Sequence, residues 1–76
     1  MHQVVVPELG EGIAKVTVAC WHCRAGDRVR AGQEVAEVAT DKAVFNVETE
    51  KAGTVQRLLV REGDEVAVGE AILVIE

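Results

Sequence analysis

Glu37-Val38-Ala39-Thr40-Asp41-Lys42-Ala43-Val44-Phe45-Asn46-Val47 sets two β-forming runs on either side of one polar pair, Asp41-Lys42. Valine and phenylalanine favour strands, whereas Asp and Lys are depleted from them. The stretch therefore reads as a β-hairpin with Asp41-Lys42 at its tip, between strands at Glu34 to Thr40 and Ala43 to Glu48. Val35 and Val38 are its expected core residues. The chain has three lysines, Lys15, Lys42 and Lys51, and only Lys42 stands at such an apex.

Upstream of the hairpin, Ala31-Gly32 reads as a turn, Val29 as a short strand and Ala25-Gly26-Asp27 as another turn. Ile13 to Cys23 is β-like, with a change of phase. Val16 and Val18 share one parity, and Trp21 and Cys23 share the other. A period-2 strand does that only through a bulge or a bend. Further upstream, His2 to Pro7 reads as a first strand around Val4-Val5-Val6, with Pro7 at its end, where a missing N–H does little harm. Glu8-Leu9-Gly10-Glu11-Gly12 follows as a surface loop.

Downstream, Thr49 to Gly53 is a polar connection, after which the pattern returns. At an offset of 37, Gly26-Asp27 falls on Gly63-Asp64, Val29 on Val66, Gly32 on Gly69, Val35 on Ile72 and Val38 on Ile75. The phase change returns as well: Val18, Trp21 and Cys23 fall on Val55, Leu58 and Val60. Two equivalent halves are too few for a solenoid and imply an internal pseudo-twofold. No segment combines a helical period with caps. The expectation is an all-β domain of two packed antiparallel sheets, or a flattened barrel, in which the bends carry strands from one sheet toward the other. The twofold would set Lys42 and Glu76 at opposite ends.

At 76 residues the chain makes one small domain. Trp21 and Phe45 are its only aromatic residues, so Val, Ile, Leu and Ala must build the core. Little large apolar surface is left for a deep pocket, which argues against a self-contained enzyme. A net charge of −5 argues against nucleic acid and anionic membranes as partners. Two cysteines without a secretory signal point to reduced thiols. Together with the start at Met1, they favour a bacterial cytoplasmic protein.

Catalytic constellations are sparse. The chain has no serine. His2 and His22 belong to no recognisable acid–base set. Cys20-Trp21-His22-Cys23 is a CxxC, but it lies in an expected strand, where positions i and i+3 point to opposite faces. It lacks a helix N-terminus for redox work and a second ligand pair for zinc. The expectation is that Cys23 packs inside beside Trp21, that Cys20 is a bystander, and that there is no catalytic or metal site. A compact platform without a pocket does chemistry most simply by carrying something on Lys42.

Val6-Pro7-Glu8-Leu9-Gly10-Glu11-Gly12-Ile13, Trp21, Gly26-Asp27-Arg28-Val29, Glu37 to Ala43 and Gly53-Thr54-Val55 together resemble the lipoyl domain of the acyltransferase (E2) component of 2-oxo acid dehydrogenase complexes. The resemblance spans residues 1–76. It implies a barrel-sandwich hybrid of two four-stranded antiparallel sheets, lipoic acid attached to Lys42, and a tip that the modifying lipoate ligase or lipoyl transferase recognises through Asp41 and Ala43. It further implies that the loop Glu8, Leu9, Gly10, Glu11, Gly12 lies near the lysine and is read by the decarboxylase (E1). The flavin dehydrogenase (E3) is a further implied partner. A linker and more domains would follow Glu76, and the isolated domain would be a monomer. The related biotinyl carriers typically have Met on both sides of the lysine, where this chain has Asp41 and Ala43. A biotinyl carrier and an unmodified interaction barrel are the alternative readings. Three positions depart from the family's habit: Glu48 to Ala52 lacks a proline, Lys15 replaces a frequent acid, and His22-Cys23 replaces an apolar pair. They bear on which complex is served, not on the carrier role.

Overall fold

Fifteen of the 76 residues are valine, and each β-branched side chain prefers the pleated backbone to a helix. The computed structural model describes all residues, Met1–Glu76, and every element in it is a strand. These are β1 (His2–Val5), β2 (Lys15–Trp21), β3 (Arg28–Val29), β4 (Glu34–Ala39), β5 (Val44–Glu48), β6 (Gly53–Leu58), β7 (Glu65–Ala67) and β8 (Ala71–Ile75). They form two antiparallel four-stranded sheets, in the orders β1-β8-β6-β3 and β5-β4-β2-β7. The expected strands are all present, trimmed by one or two residues where the chain turns.

The twofold reads directly from the registers. β2, β3 and β4 superpose in role on β6, β7 and β8 at the offset of 37. β2 lies between β4 and β7, and β6 between β8 and β3. β3 thus joins the sheet built mainly by the second half, and β7 joins the sheet of β2 and β4. The phase change has the cause expected of it. The β2–β4 register slips between Val18 and Cys20, and the β6–β8 register slips between Val55 and Arg57. After each bulge the chain leaves its sheet and crosses to the other.

The Gly-Asp turns close both crossings in the same way. Gly26 N–H donates to Val55 O (2.8 Å) and Val55 N–H to Asp27 O (2.8 Å). In the twofold mate, Gly63 N–H donates to Val18 O (2.8 Å) and Val18 N–H to Asp64 O (2.9 Å). Asp27 and Asp64 also accept, at 2.9 Å, from the N–H of Arg24 and of Arg61. Gly26 and Gly63 have φ of +96° and +93°, a conformation that glycine adopts without steric cost.

Between the sheets lies one core of small aliphatic side chains, with Val18, Val35, Val38, Val55, Ile72 and Ile75 at 0–2% exposure. Trp21 packs against the edge of this core, and its Nε1–H donates to Val60 O (3.1 Å). Thr49 is the one buried polar side chain. Its hydroxyl donates to Lys51 O (2.8 Å) and accepts from Lys51 N–H (3.2 Å), so burial leaves it satisfied.

The symmetry breaks at one place. His2, Gln3 and Val4 stand opposite Ile75, Val74 and Leu73 in β8, as Phe45, Asn46 and Val47 stand opposite Val38, Glu37 and Ala36 in β4. This offset is 43 rather than 37. The connection from β1 to β2 is therefore six residues longer than its mate from β5 to β6, and the Glu8–Gly12 loop lies in this longer connection. In the same mapping, the β4–β5 tip is the mate of the two chain termini. The twofold thus exchanges Lys42 with the end that carries Glu76.

Gly53 tests how tightly the second half closes. A Cβ there would lie 2.5 Å from Glu76 O and 2.6 Å from Ile75 Cγ2. Overpacking of this kind costs about 1–3 kcal/mol. Gly53→Ala is expected to lower the unfolding free energy by that amount, seen as a lower urea midpoint at unchanged m-value. An unchanged midpoint would show that β6 and the C-terminal strand are not in this close contact.

Candidate functional site

The β4–β5 ladder ends at the pair Ala39–Val44, leaving Thr40-Asp41-Lys42-Ala43 as the tip. Two-residue hairpin turns usually need positive φ to match strand twist, but no non-glycine residue in the chain has it. Thr40 resolves the conflict. Its N–H donates to Ala43 O (2.8 Å), the ordinary hairpin bond. The return bond goes to the side chain: Thr40 Oγ1 accepts from Ala43 N–H (3.1 Å) and from Lys42 N–H (3.2 Å). One hydroxyl thus accepts from two N–H groups of the turn and holds the backbone of Lys42 in place. Sequence reasoning placed Thr40 inside the strand and missed this role. A threonine immediately before a polar turn pair was the available signal.

Asp41, Lys42 and Ala43 are all exposed. Lys15 Nζ lies 3.7 Å from Glu65 Oε1, whereas Lys42 has no carboxylate at ion-pair distance. Its amine is therefore unencumbered, on a rigid base.

A groove of about 670 Å³ runs beside the tip. Asp41, Lys42, Ala43 and Phe45 form one wall, and Glu11, Gly12 and Ile13 form the other. The loop that breaks the twofold is thus the loop that faces the lysine. Leu9 and Ile13 anchor it by packing against the core, and Ile13 N–H donates to Gly10 O (3.2 Å). Gly12 adopts a φ of +84° in the resulting turn. Of the five loop residues singled out from the sequence, Glu11 and Gly12 line the groove. Glu8, Leu9 and Gly10 do not; Leu9 serves as an anchor and Gly10 as a turn residue. Ile13, which carried the resemblance without being given a site role, and Phe45, which was read only as a strand residue, complete the walls.

The two cysteines part as their spacing implied. Cys23 is buried, with its Sγ 3.8 Å from Val35 O, and burial pushes its thiol pKa up, with Asp27 adding to the effect. Cys20 lies on the outer side and is no bystander: its Sγ donates to Glu37 Oε2 (3.2 Å). That hydrogen bond, with smaller help from burial and acidic neighbours, pushes the Cys20 thiol up as well. Redox dithiols need the opposite shift, so the CxxC is not poised for thioredoxin-like exchange.

The comparisons with known proteins agree with this geometry. The profile of the Biotin_lipoyl family, described as "Biotin-requiring enzyme", matches residues 2–75. The succinyltransferase component of the 2-oxoglutarate dehydrogenase complex from Staphylococcus saprophyticus is 47% identical over 99% of the chain. The acetyltransferase component of the pyruvate dehydrogenase complex from Zymomonas mobilis is 42% identical over 95% of the chain. The chain spans only 18% and 17% of the lengths of these two relatives. The solution structure of the lipoyl domain of the 2-oxoglutarate dehydrogenase complex from Azotobacter vinelandii superposes with a TM-score of 0.67. It is 32% identical, with 93% of this chain and 95% of that one covered. With its sequence and its two twofold-related sheets in agreement, the chain belongs to the biotin/lipoyl family, as a lipoyl domain.

Proposed function

We propose that Lys42 is the residue that carries lipoic acid, and that the domain moves acyl groups and reducing equivalents between a decarboxylase, an acyltransferase core and a flavin dehydrogenase. The observation that carries this reading is the exposed, unpaired Lys42 on a tip whose backbone is fixed by Thr40. The donor set fits the group. A primary amine can form an amide with a carboxylic acid, and the adjoining groove leaves a long arm room to leave the surface. When attached, the group supplies a dithiolane whose strained disulfide opens readily, because a five-membered ring cannot reach the relaxed torsion near ±90°.

Everything else falls to the chain. The tip presents one amine at one place, so a modifying enzyme can distinguish it from the ion-paired Lys15 and from Lys51. Asp41 and Ala43 flank the amine with a charge and a methyl group that such an enzyme can read. Glu11 and Gly12 stand across the groove and offer a second surface, close enough for a decarboxylase to examine loop and arm together. The folded body then confines the arm near each active site and raises its effective concentration there. In the longer chain, further domains would supply the acyltransferase activity. We also place the working protein in the bacterial cytoplasm, where its thiols stay reduced.

Incubation with lipoate, ATP and a lipoate ligase, followed by intact-mass and peptide mapping, is expected to find one lipoyl group, on Lys42 alone. Lys42→Arg should accept none. An adduct on Lys15 or Lys51, or biotin taken up from a biotin ligase in place of lipoate, would sink the assignment.

Geometry at the tip gives a second test. Moving the amine one place, with Asp41→Lys and Lys42→Ala together, is expected to abolish modification although a lysine remains on the hairpin. Thr40→Val removes the acceptor of two N–H groups. It should slow modification several-fold while lowering global stability by about 1 kcal/mol, the usual worth of such a bond. Normal lipoylation of the shifted lysine would show that position does not select the residue.

The groove's far wall should matter to the decarboxylase and not to the ligase. Glu11→Lys is expected to lower kcat/KM for acylation of the loaded domain by about tenfold, which corresponds to about 1.4 kcal/mol. Its rate of lipoylation should stay as in the parent. A loss confined to lipoylation would reassign the loop to the modifying enzyme.

A further inference from the structure

Away from the lysine, one side-chain cluster is unused by the carrier role. Cys20 and His22 project from the end of β2 and the residue after it, and Glu37 projects from β4 directly opposite Cys20. Both side chains converge on one carboxylate oxygen. Cys20 Sγ lies 3.2 Å from Glu37 Oε2, and His22 Nε2 lies 2.9 Å from the same atom. All three donor atoms lie within 4.8 Å of one another. The bulge between Val18 and Cys20 sets this arrangement, and the bond from His22 N–H to Val35 O (2.9 Å) fixes the backbone of the histidine.

We propose that Cys20 Sγ, His22 Nε2 and Glu37 Oε2 form a three-ligand site for a borderline-soft divalent cation of the zinc type, with the fourth position left to water. Zinc takes thiolate, imidazole and carboxylate donors at bond lengths that set neighbouring ligand atoms of a tetrahedron roughly 3.4–3.6 Å apart. The observed separations of 3.2 and 2.9 Å need an opening of a few tenths of an ångström, and Cys20 Sγ and His22 Nε2, within 4.8 Å of each other, need to close by at most about 1.2 Å. Side-chain rotation can supply that, because His22 and Glu37 are a third or so exposed and free to adjust. Glu34 and Asn46 line the same groove as His22 and Glu37, so the water position has polar neighbours. The balance is simple: the S–H bond of Cys20 breaks, a sulfur–zinc bond forms, and the proton passes to buffer.

The molecule contains its own control. At the offset of 37, the positions of Cys20, His22 and Glu37 are occupied by Arg57, Leu59 and Val74. The same scaffold, bulge included, folds there without any of the three donors. The fold therefore does not require Cys20, His22 and Glu37, and what they have in common is the capacity to ligate. Cys23 is not part of the site: it is buried on the inner side, where its twofold mate is Val60.

The test uses the chain with Lys42 unmodified, because a reduced dithiol on the arm would bind zinc by itself. Calorimetric titration with zinc chloride, in a reductant without thiols, is expected to give one saturable site per chain. Cys20→Ser and His22→Gln should each weaken it by roughly a hundredfold, as loss of one of three donors implies. Cys23→Val should leave it unchanged. X-ray absorption of the zinc-loaded parent should show a single sulfur neighbour, a readout that needs no variant to fold. Absence of saturable binding, retention of binding in His22→Gln, or two sulfur neighbours would each overturn the proposal. With the unmodified chain, the outcome is independent of whether Lys42 is the residue that accepts lipoic acid.

Discussion

The exchange of edge strands between the two halves holds this domain together. β3 completes the sheet of β6, β8 and β1, and β7 completes the sheet of β2, β4 and β5. Neither half can close its sheet alone, because each lends its own short strand to the other. The bulges make the exchange possible by bending β2 and β6 out of plane. The Gly26-Asp27 and Gly63-Asp64 turns then continue the ladders onto Val55 and Val18. A core of valine and isoleucine suffices because the two sheets are close and the side chains short. A 76-residue chain without disulfide or metal in its interior has few other ways to bury enough surface.

Rigidity at the base of the tip follows from this. β4 is the middle partner of β2 and β5, and Val35, Ala36 and Val38 are fully buried along it. Motion of Lys42 relative to the body would have to break that ladder or release Thr40 from the two N–H groups it accepts. The symmetric scaffold offers no recognition feature of its own, since each end repeats the other. The extra residues between β1 and β2 supply one, and the chain places them at the lysine end. A fixed amine beside one asymmetric loop sets that end of the domain apart from the other with few residues.

Much of this was legible in residue order. The offset of 37 and the repeated phase change announced the twofold and a bulge or bend in each half, because a period-2 strand changes face in no other way. Asp41-Lys42 between two valine-rich runs announced the hairpin. The convergence of Cys20, His22 and Glu37 was not legible. Cys20 and Glu37 are seventeen residues apart, and their pairing depends on the register that the bulge imposes on β2 and β4. For the same reason Cys20 was expected to be idle. Thr40 was hidden by its ordinary place at a strand end, and the split of the Glu8–Gly12 loop into anchors and groove wall depends on where Leu9 and Ile13 find the core.

Sequence by itself determined the all-β class, the internal twofold, the tip lysine and the separation of Cys23 from Cys20. These are consequences of side-chain periodicity and local turn chemistry, which act over a few residues. Tertiary structure alone decided which groups share a space: Glu11 and Gly12 across from Lys42, one threonine hydroxyl serving two N–H groups, and a thiol and an imidazole on one carboxylate. Such proximity depends on strand register and on the sum of many packing contacts, and no local pattern in the chain encodes it.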